Sequence, residues 1–491
     1  MQDRFDPSEI SENVRSRFYI GGTWVSPRSG AQLELVSPLT EKVQFTVPAG
    51  CPEDMDDAVA AATEAFENGP WPRMTPAERG GYLRAMQAEV KKRLPLFQRV
   101  WTAQVGVVHG FASMILPLVP RYYEYYAGLA ETFAFEEERK TPHGRAKVIR
   151  EPVGVCAFIL PWNAPLILLS AKLCPALLAG CTIVAKPSPE TPLDALILAE
   201  CAEAAGLPPG VFNVVPADRE AGDHLIRDSR VAKVSFTGST AAGRHIAAVC
   251  ADRVARVSLE LGGKSAAIIC DDADLAAAIP ALTPVSMPFS GQICFAQTRV
   301  LVPETRHDEV VEAYRAAVES IKVGDPWDPE VGMGPLSMRR QQERVLDYIE
   351  IGRREGARLV TGGRRGPFNQ GFFVEPTIFA DVTPDMRIAQ EEIFGPVVSI
   401  MRYRDDDDAV RLANHTDFGL SGTVFTSDVA RGERIARGVR TGNVSVNGLQ
   451  LEPSVPFGGY KQSGLGREGG PEGLEPFLET KAIYLPSLPS S

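Results

Sequence analysis

Paired cysteines, histidine clusters, basic runs and uninterrupted apolar spans are all missing from this 491-residue chain. The eight cysteines, at positions 51, 156, 174, 181, 201, 250, 270 and 294, form no CxxC, and the six histidines stand apart from one another. That spacing gives no metal-ligand pattern, so no metal is expected and most of the thiols read as reduced and buried. Lysine and arginine are scattered, and a net charge of −11 with a pI near 5.3 argues against nucleic acid or an anionic membrane as the main partner. Small molecules fit better. The first ten residues are polar and acidic and hold no apolar signal core, which with the reduced thiols points to the cytoplasm. The most apolar window, 164–185, is broken by Lys172, Pro175 and Gly180, so it predicts a buried helix followed by a strand rather than a membrane span. No internal repeat or low-complexity tract is visible.

A chain of this length exceeds one hydrophobic core and predicts two or three domains. From Gly154 onward, strand-like runs at 155–160, 181–185, 211–215 and 231–236 alternate with helix-like stretches at 166–178, 193–205, 221–228 and 241–252. Such alternation predicts an α/β fold built on a Rossmann-like, doubly wound parallel sheet. A second α/β series starts at Ser265 and runs through 299–302 and 309–322. The N-terminal part predicts a strand and turn at 18–24 and helices at 53–67 and 77–92. The polar stretch after Glu136 reads as an excursion from the first domain, and the acidic run Asp405–Asp408 as a solvated helix start.

Two residues carry chemistry. Glu260, in Leu259-Glu-Leu-Gly-Gly-Lys-Ser265, is a candidate general base, and Cys294, in Gly291-Gln-Ile-Cys-Phe-Ala-Gln297, is a candidate nucleophile. A thiolate that attacks a carbonyl forms a covalent intermediate, and a carboxylate that activates water releases it. Three strand-like runs end in polar or glycine-rich punctuation, where α/β sheets bind ligands: Pro161-Trp-Asn163, Lys186-Pro-Ser-Pro189, and Thr237-Gly-Ser-Thr240 followed by Gly243. The last opens a helix, which suits either a pyrophosphate or an ordinary N-cap. The literal GxGxxG from Gly464 to Gly469 follows no convincing strand and reads as a loop.

Taken together, these segments resemble the aldehyde dehydrogenase superfamily over nearly the whole chain. The matching motifs also include Glu391-Glu-Ile-Phe-Gly-Pro396, Gly442-Asn-Val-Ser-Val-Asn447 and Pro456-Phe-Gly-Gly-Tyr-Lys461. The resemblance implies that Cys294 adds to an aldehyde, that Asn163 and the Cys294 N–H stabilise the oxyanion, and that Glu260 activates the water that hydrolyses a thioester. It places Lys186 and Ser188 at the adenosine ribose and Gly238, Ser239, Gly243 and Leu261 around the pyrophosphate. Glu392, Phe394 and Trp162 fall at the nicotinamide end. Lys172 and Glu468 match positions of proton movement or, equally, of an ion pair bracing helix against loop. The cofactor is NAD, with NADP left open because Pro189 stands where NAD-preferring relatives commonly carry a carboxylate.

Small residues at Ala164 and Ala171, with Phe289, Phe295 and Phe457, predict a pocket for a bulky apolar aldehyde, aromatic or medium-chain. The implied division is a cofactor domain at 1–128 and 149–259, a catalytic domain at 260–457, and a small β arm at 129–148 and 474–491 that pairs in a homo-oligomer, dimer or tetramer. A coenzyme-A-acylating enzyme and a non-catalytic binding protein are the alternatives; the first generally lacks a glutamate matching Glu260, and intact Cys294 and Asn163 speak against the second.

Overall fold

A computed structural model describes residues 4–486; the ends of the expected first domain and arm, 1–3 and 487–491, lie outside the described residues. Two parallel sheets organise the chain. The first has eight strands in the order Thr23–Val25, Phe18–Ile20, Phe212–Val214, Thr182–Lys186, Val155–Ile159, Val231–Thr237, Arg256–Glu260 and Gly464–Leu465. Its five inner strands run parallel. Their residues are mostly buried, as expected where helices cover both sides. The apolar window resolves into a helix, Pro165–Ala179, and the strand Thr182–Lys186. Pro165 opens that helix, and Gly180 closes it in a left-handed conformation. Among the described residues, no helix is long and apolar enough to cross a membrane.

The second sheet has seven strands, ordered Arg358–Thr361, Thr377–Ala380, Val397–Tyr403, Arg299–Pro303, Ala266–Ile269, Ser421–Phe425 and Asn443–Val446. All neighbours but the first pair are parallel. A third, antiparallel sheet of three strands joins Glu136–Thr141, Gly144–Pro152 and Leu478–Pro486.

Several local expectations change. The helix expected at 77–92 runs from Pro76 to Val105 through Pro95, because its last turns bury Val100, Trp101, Ala103 and Val105 in the core. The polar excursion after Glu136 becomes the strands Glu136–Thr141 and Gly144–Pro152, while the helix Val119–Thr132 occupies the start of the stretch 129–148. The GxGxxG segment is not all loop: Gly464 and Leu465 pair antiparallel with the end of Arg256–Glu260. Asp405 does cap a helix, Asp406–Asn414, by accepting from the Asp408 N–H at 2.9 Å. Asp408 itself is buried and paired with Arg404 and Arg411, so the acidic run is only partly solvated.

One buried cation ties the two halves of the catalytic loop region together. Arg299 is fully buried and donates to the carbonyls of Lys264 at 2.8 Å, Leu412 at 2.9 Å and Ala413 at 2.6 Å. The last two carbonyls lie at the C-terminal end of the helix Asp406–Asn414, where a helix favours positive charge. Replacing Arg299 with leucine is expected to cost about 3 kcal/mol, roughly 1 per lost hydrogen bond. The urea midpoint of the full chain checks this; an unchanged midpoint would contradict it.

Candidate active site

Glu260 is the last residue of its strand, beside Thr237 at the end of the neighbouring strand. It is only 4% exposed, and its Oε2 has no hydrogen-bond partner. The carboxylate lies against Gly458, where φ is +150° and an added Cβ would come within 2.7 Å of Glu260 Oε1. Only glycine fits there. Burial, and next the charge of Glu468, push the Glu260 carboxyl well above its ordinary pKa, while Lys172 and Arg467 pull the other way.

Three residues later the chain turns under the nucleophile. A Cβ on Gly263 would stand 2.2 Å from the Cys294 carbonyl oxygen, so the two loops touch backbone to backbone. The Gly263 N–H donates to Glu392 Oε1 at 2.9 Å. One glycine therefore joins the Glu260 loop, the Cys294 loop and the Glu392 carboxylate. Burial pushes the Glu392 carboxyl up to about 7.

Cys294 ends a strained approach. Phe289, Ser290 and Gly291 are successively left-handed, with φ of 51°, 57° and 76°. For a bulky residue such as Phe289 this conformation is costly and persists only if neighbours enforce it. They do. Ser290 Oγ donates to Gly334 O at 2.8 Å, the Ser337 N–H to Gln292 Oε1 at 2.9 Å, and Asn163 Nδ2 to Gln292 O at 3.0 Å. Trp101 Nε1 in turn donates to Asn163 O at 2.8 Å. The Asn163 amide thus spends one of its two N–H groups on the loop and keeps the other for a ligand. Burial, then the charges of Glu392 and Glu260, hold the Cys294 thiol above its ordinary range.

Lys172 and Glu468 form a buried ion pair, and Lys172 Nζ also donates to Thr237 Oγ1 at 2.6 Å. Glu468 is held by Phe457 through two backbone hydrogen bonds of 2.6 and 2.7 Å. This pair braces the helix Pro165–Ala179 against the loop that carries Gly458.

The strand ends of the first sheet carry groups that could hold a dinucleotide. Ser239 caps the helix Thr240–Asp252, accepting from the Ala242 N–H, and the first-turn N–H groups beyond it have no partner within the helix. Gly243 lets the helix close on Leu261, whose Cδ2 would lie 2.5 Å from an added Cβ, and Gly238 donates to Glu260 O at 3.0 Å. Beside this helix opens a cavity of about 540 Å³ lined by Asp218, Arg219, Glu220, Asp223 and His245. Lys186 is buried, and burial lowers its ammonium to about 8; it donates to Pro187 O and Ala217 O. Ser188 donates to Glu190. At the other end Trp162 and Phe394 meet edge to face at 5.4 Å, near Glu392 in sequence and space.

Ala164 is buried at the start of the helix Pro165–Ala179 and Ala171 in its middle, and Phe295 packs edge-on against Phe457 at 6.4 Å. Phe289 lies edge-on to both Trp101 and Phe111, and lines a cavity of about 420 Å³ with Pro284, Met287 and Met333. Sequence reasoning missed Trp101, Gln341 and Arg344. Gln341 donates to Phe394 O at 2.7 Å, and Arg344 to Glu392 O at 2.5 Å, so one helix holds the 392–394 segment. Their partners lie about fifty positions away, and no local pattern announces them.

A raised thiol pKa leaves little thiolate at neutral pH. Cofactor-free Cys294 is therefore expected to react with iodoacetamide more slowly than free cysteine at pH 7, and faster as pH rises past the ordinary thiol range. Peptide mapping of the alkylated site checks this; rapid labelling at pH 7 would mean an ionised resting thiol.

The geometry agrees with comparisons to known proteins. Residues 24–483 match the family model described as Aldehyde dehydrogenase family. The chain is similar to the geranial dehydrogenase of Castellaniella defragrans, 45% identical over 469 residues that cover 95% of this chain and 98% of the relative. Among solved structures it resembles a Mycobacterium tuberculosis aldehyde dehydrogenase complexed with NAD+, with a TM-score of 0.95, 44% identity and coverage of 97% and 99%. It also resembles a cysteine-to-alanine mutant of the Pseudomonas syringae aldehyde dehydrogenase C complexed with NAD+ and octanal, with a TM-score of 0.93, 39% identity and 98% of each chain covered. This chain belongs to the aldehyde dehydrogenase family.

Proposed function

We propose that this aldehyde dehydrogenase oxidises bulky apolar aldehydes, aromatic or medium-chain, to carboxylic acids with NAD+, through a thiohemiacetal and a thioester on Cys294. The observation that carries the reading is the Gly263 junction, where the Cys294 loop, the loop that leaves the buried Glu260 and the Glu392 carboxylate meet. Cys294 Sγ adds to the carbonyl carbon. The free N–H of Asn163 and the Cys294 backbone N–H hold the oxyanion, and because Trp101 and Gln292 already fix Asn163, little reorganisation is needed. Bound in the crevice, NAD+ supplies the acceptor for the two electrons and hydrogen that leave the aldehyde carbon. Glu260 then takes a proton from the water that attacks the thioester, and the acid departs with the thiol restored.

On this reading Lys186, Ser188, Gly238, Ser239, Gly243 and Leu261 hold the adenosine and pyrophosphate, while Trp162, Glu392 and Phe394 hold the nicotinamide end. Lys172 and Glu468 position the base. The three domains follow the three sheets. Relatives that bear the name geranial dehydrogenase or were solved with octanal handle apolar aldehydes, which supports the substrate class, as do Ala164 and Ala171. Among the described residues the outer edge of Leu478–Pro486 pairs with no other strand, and the strand carries exposed Ile483 and Tyr484, which supports pairing with a second copy.

Initial rates of NAD+ reduction without coenzyme A test the reading. Octanal and benzaldehyde are expected to exceed acetaldehyde in kcat/KM, with no rate from Cys294→Ser; a reversed order would remove the substrate class. Asn163→Ala is expected to lower kcat by about 10²–10³, the range for one oxyanion donor. Because the Glu260 pKa is raised, its basic form is scarce at low pH, so single-turnover hydrolysis of the thioester is expected to keep speeding up as pH rises past the ordinary carboxylate range. Hydrolysis already flat from pH 5 upward would assign the base elsewhere.

A further inference from the structure

The strand Thr182–Lys186 lies two places along the sheet from the strand whose helix offers its N-terminus to a pyrophosphate. Its end therefore sits under the adenosine side of the crevice, and the Lys186 bond to Ala217 O sets it beside the 540 Å³ cavity. In dinucleotide sites an acidic residue accepts from the ribose 2′-hydroxyl of NAD, whereas an arginine accommodates the 2′-phosphate of NADP. Here Lys186 is spent on two carbonyls, and Pro189 has no polar side chain. The next residue folds back into the gap. One Glu190 oxygen accepts from the buried Ser188 hydroxyl, and the other accepts from Arg340. Arg340 belongs to the helix Arg339–Arg354 in the other half of the molecule, the same helix whose Gln341 and Arg344 hold the 392–394 segment. The Glu190 side chain is 23% exposed, enough to face a ligand while its position is fixed from both sides.

We propose that Glu190, anchored by Ser188 and Arg340, selects NAD+ over NADP+ in this chain, in place of residue 189. The proposal rests on the crevice being the dinucleotide site. The carboxylate accepts from the ribose hydroxyl and repels a phosphate at the same place, and the cavity rim adds Asp218, Glu220 and Asp223 against Arg219 and His245. Arg340 is a positioning residue: it holds the carboxylate and does not receive the cofactor.

Calorimetric binding of NAD+ and NADP+ to the full chain tests this, with kcat/KM for each as a second readout. The wild type is expected to bind NAD+ more tightly. Glu190→Gln is expected to move the NADP+/NAD+ affinity ratio toward NADP+ by about 10-fold or more, the factor of one charge-assisted hydrogen bond. Arg340→Gln keeps the Glu190 charge but loosens its hold, so the preference for NAD+ is expected to weaken without reversing. Each ratio comes from one preparation, so partial misfolding does not move it. A Glu190→Gln ratio within about twofold of wild type, on the same tenfold scale, would overturn the proposal. So would a wild type that prefers NADP+ and loses it in Arg340→Gln, which would make Arg340 the phosphate receptor. If neither dinucleotide binds, the crevice reading itself fails; normal binding with an unmoved ratio removes the proposal alone.

Discussion

Where Gly263 meets the Cys294 carbonyl there is no space for a side chain, and its N–H is already committed to Glu392. That contact draws together the end of one sheet's last parallel strand and the loop that enters the other sheet. Arg299 reinforces it from behind by taking the carbonyl of the very next residue, Lys264. Relative placement of nucleophile and base is thus set by backbone atoms and a buried cation, which are stiffer than a pair of side chains reaching across a cleft.

The electrostatics follow from that packing. Glu260, Glu392 and Cys294 all sit in low-dielectric surroundings, and each is pushed toward its neutral form. Such a site resists spontaneous ionisation of its thiol when empty. Lys172, a buried cation that with Arg467 favours the Glu260 carboxylate, is shared with Glu468 and Thr237, so it steadies the base without neutralising it outright. The strain at Phe289 and Ser290 belongs to the same design, since a left-handed turn aims the following segment into the junction, and Gly334, Ser337 and Asn163 hold it there.

The α/β character, the parallel first sheet, and Glu260, Cys294 and Asn163 were legible in the chain. Strand–helix alternation is a short-range signal, and small-residue stretches around a carboxylate or thiol rarely mark a core. The later strands of the second sheet were harder to read, as were the continuation of Pro76–Val105 through Pro95 and the strand at Gly464, because distant packing decides them. Phe289 illustrates the limit for a pocket: its position in sequence, five residues before Cys294, places it on the nucleophile's loop, but the direction of its ring, edge-on to Trp101 and Phe111, follows from a left-handed backbone that no local pattern announces. Glu190 is the converse case. In sequence it stands one step late, and only the fold shows Arg340 and Ser188 bringing its carboxylate back to the strand end.

Mass spectrometry of the Glu260→Gln variant, quenched after mixing with NAD+ and benzaldehyde, tests most directly whether Cys294 and Glu260 divide the chemistry as the Gly263 junction suggests. The account predicts that the Cys294 peptide carries a benzoyl thioester that persists, because the thiol can still be acylated while water is no longer activated. An unmodified Cys294 peptide, together with turnover as fast as wild type, would contradict it.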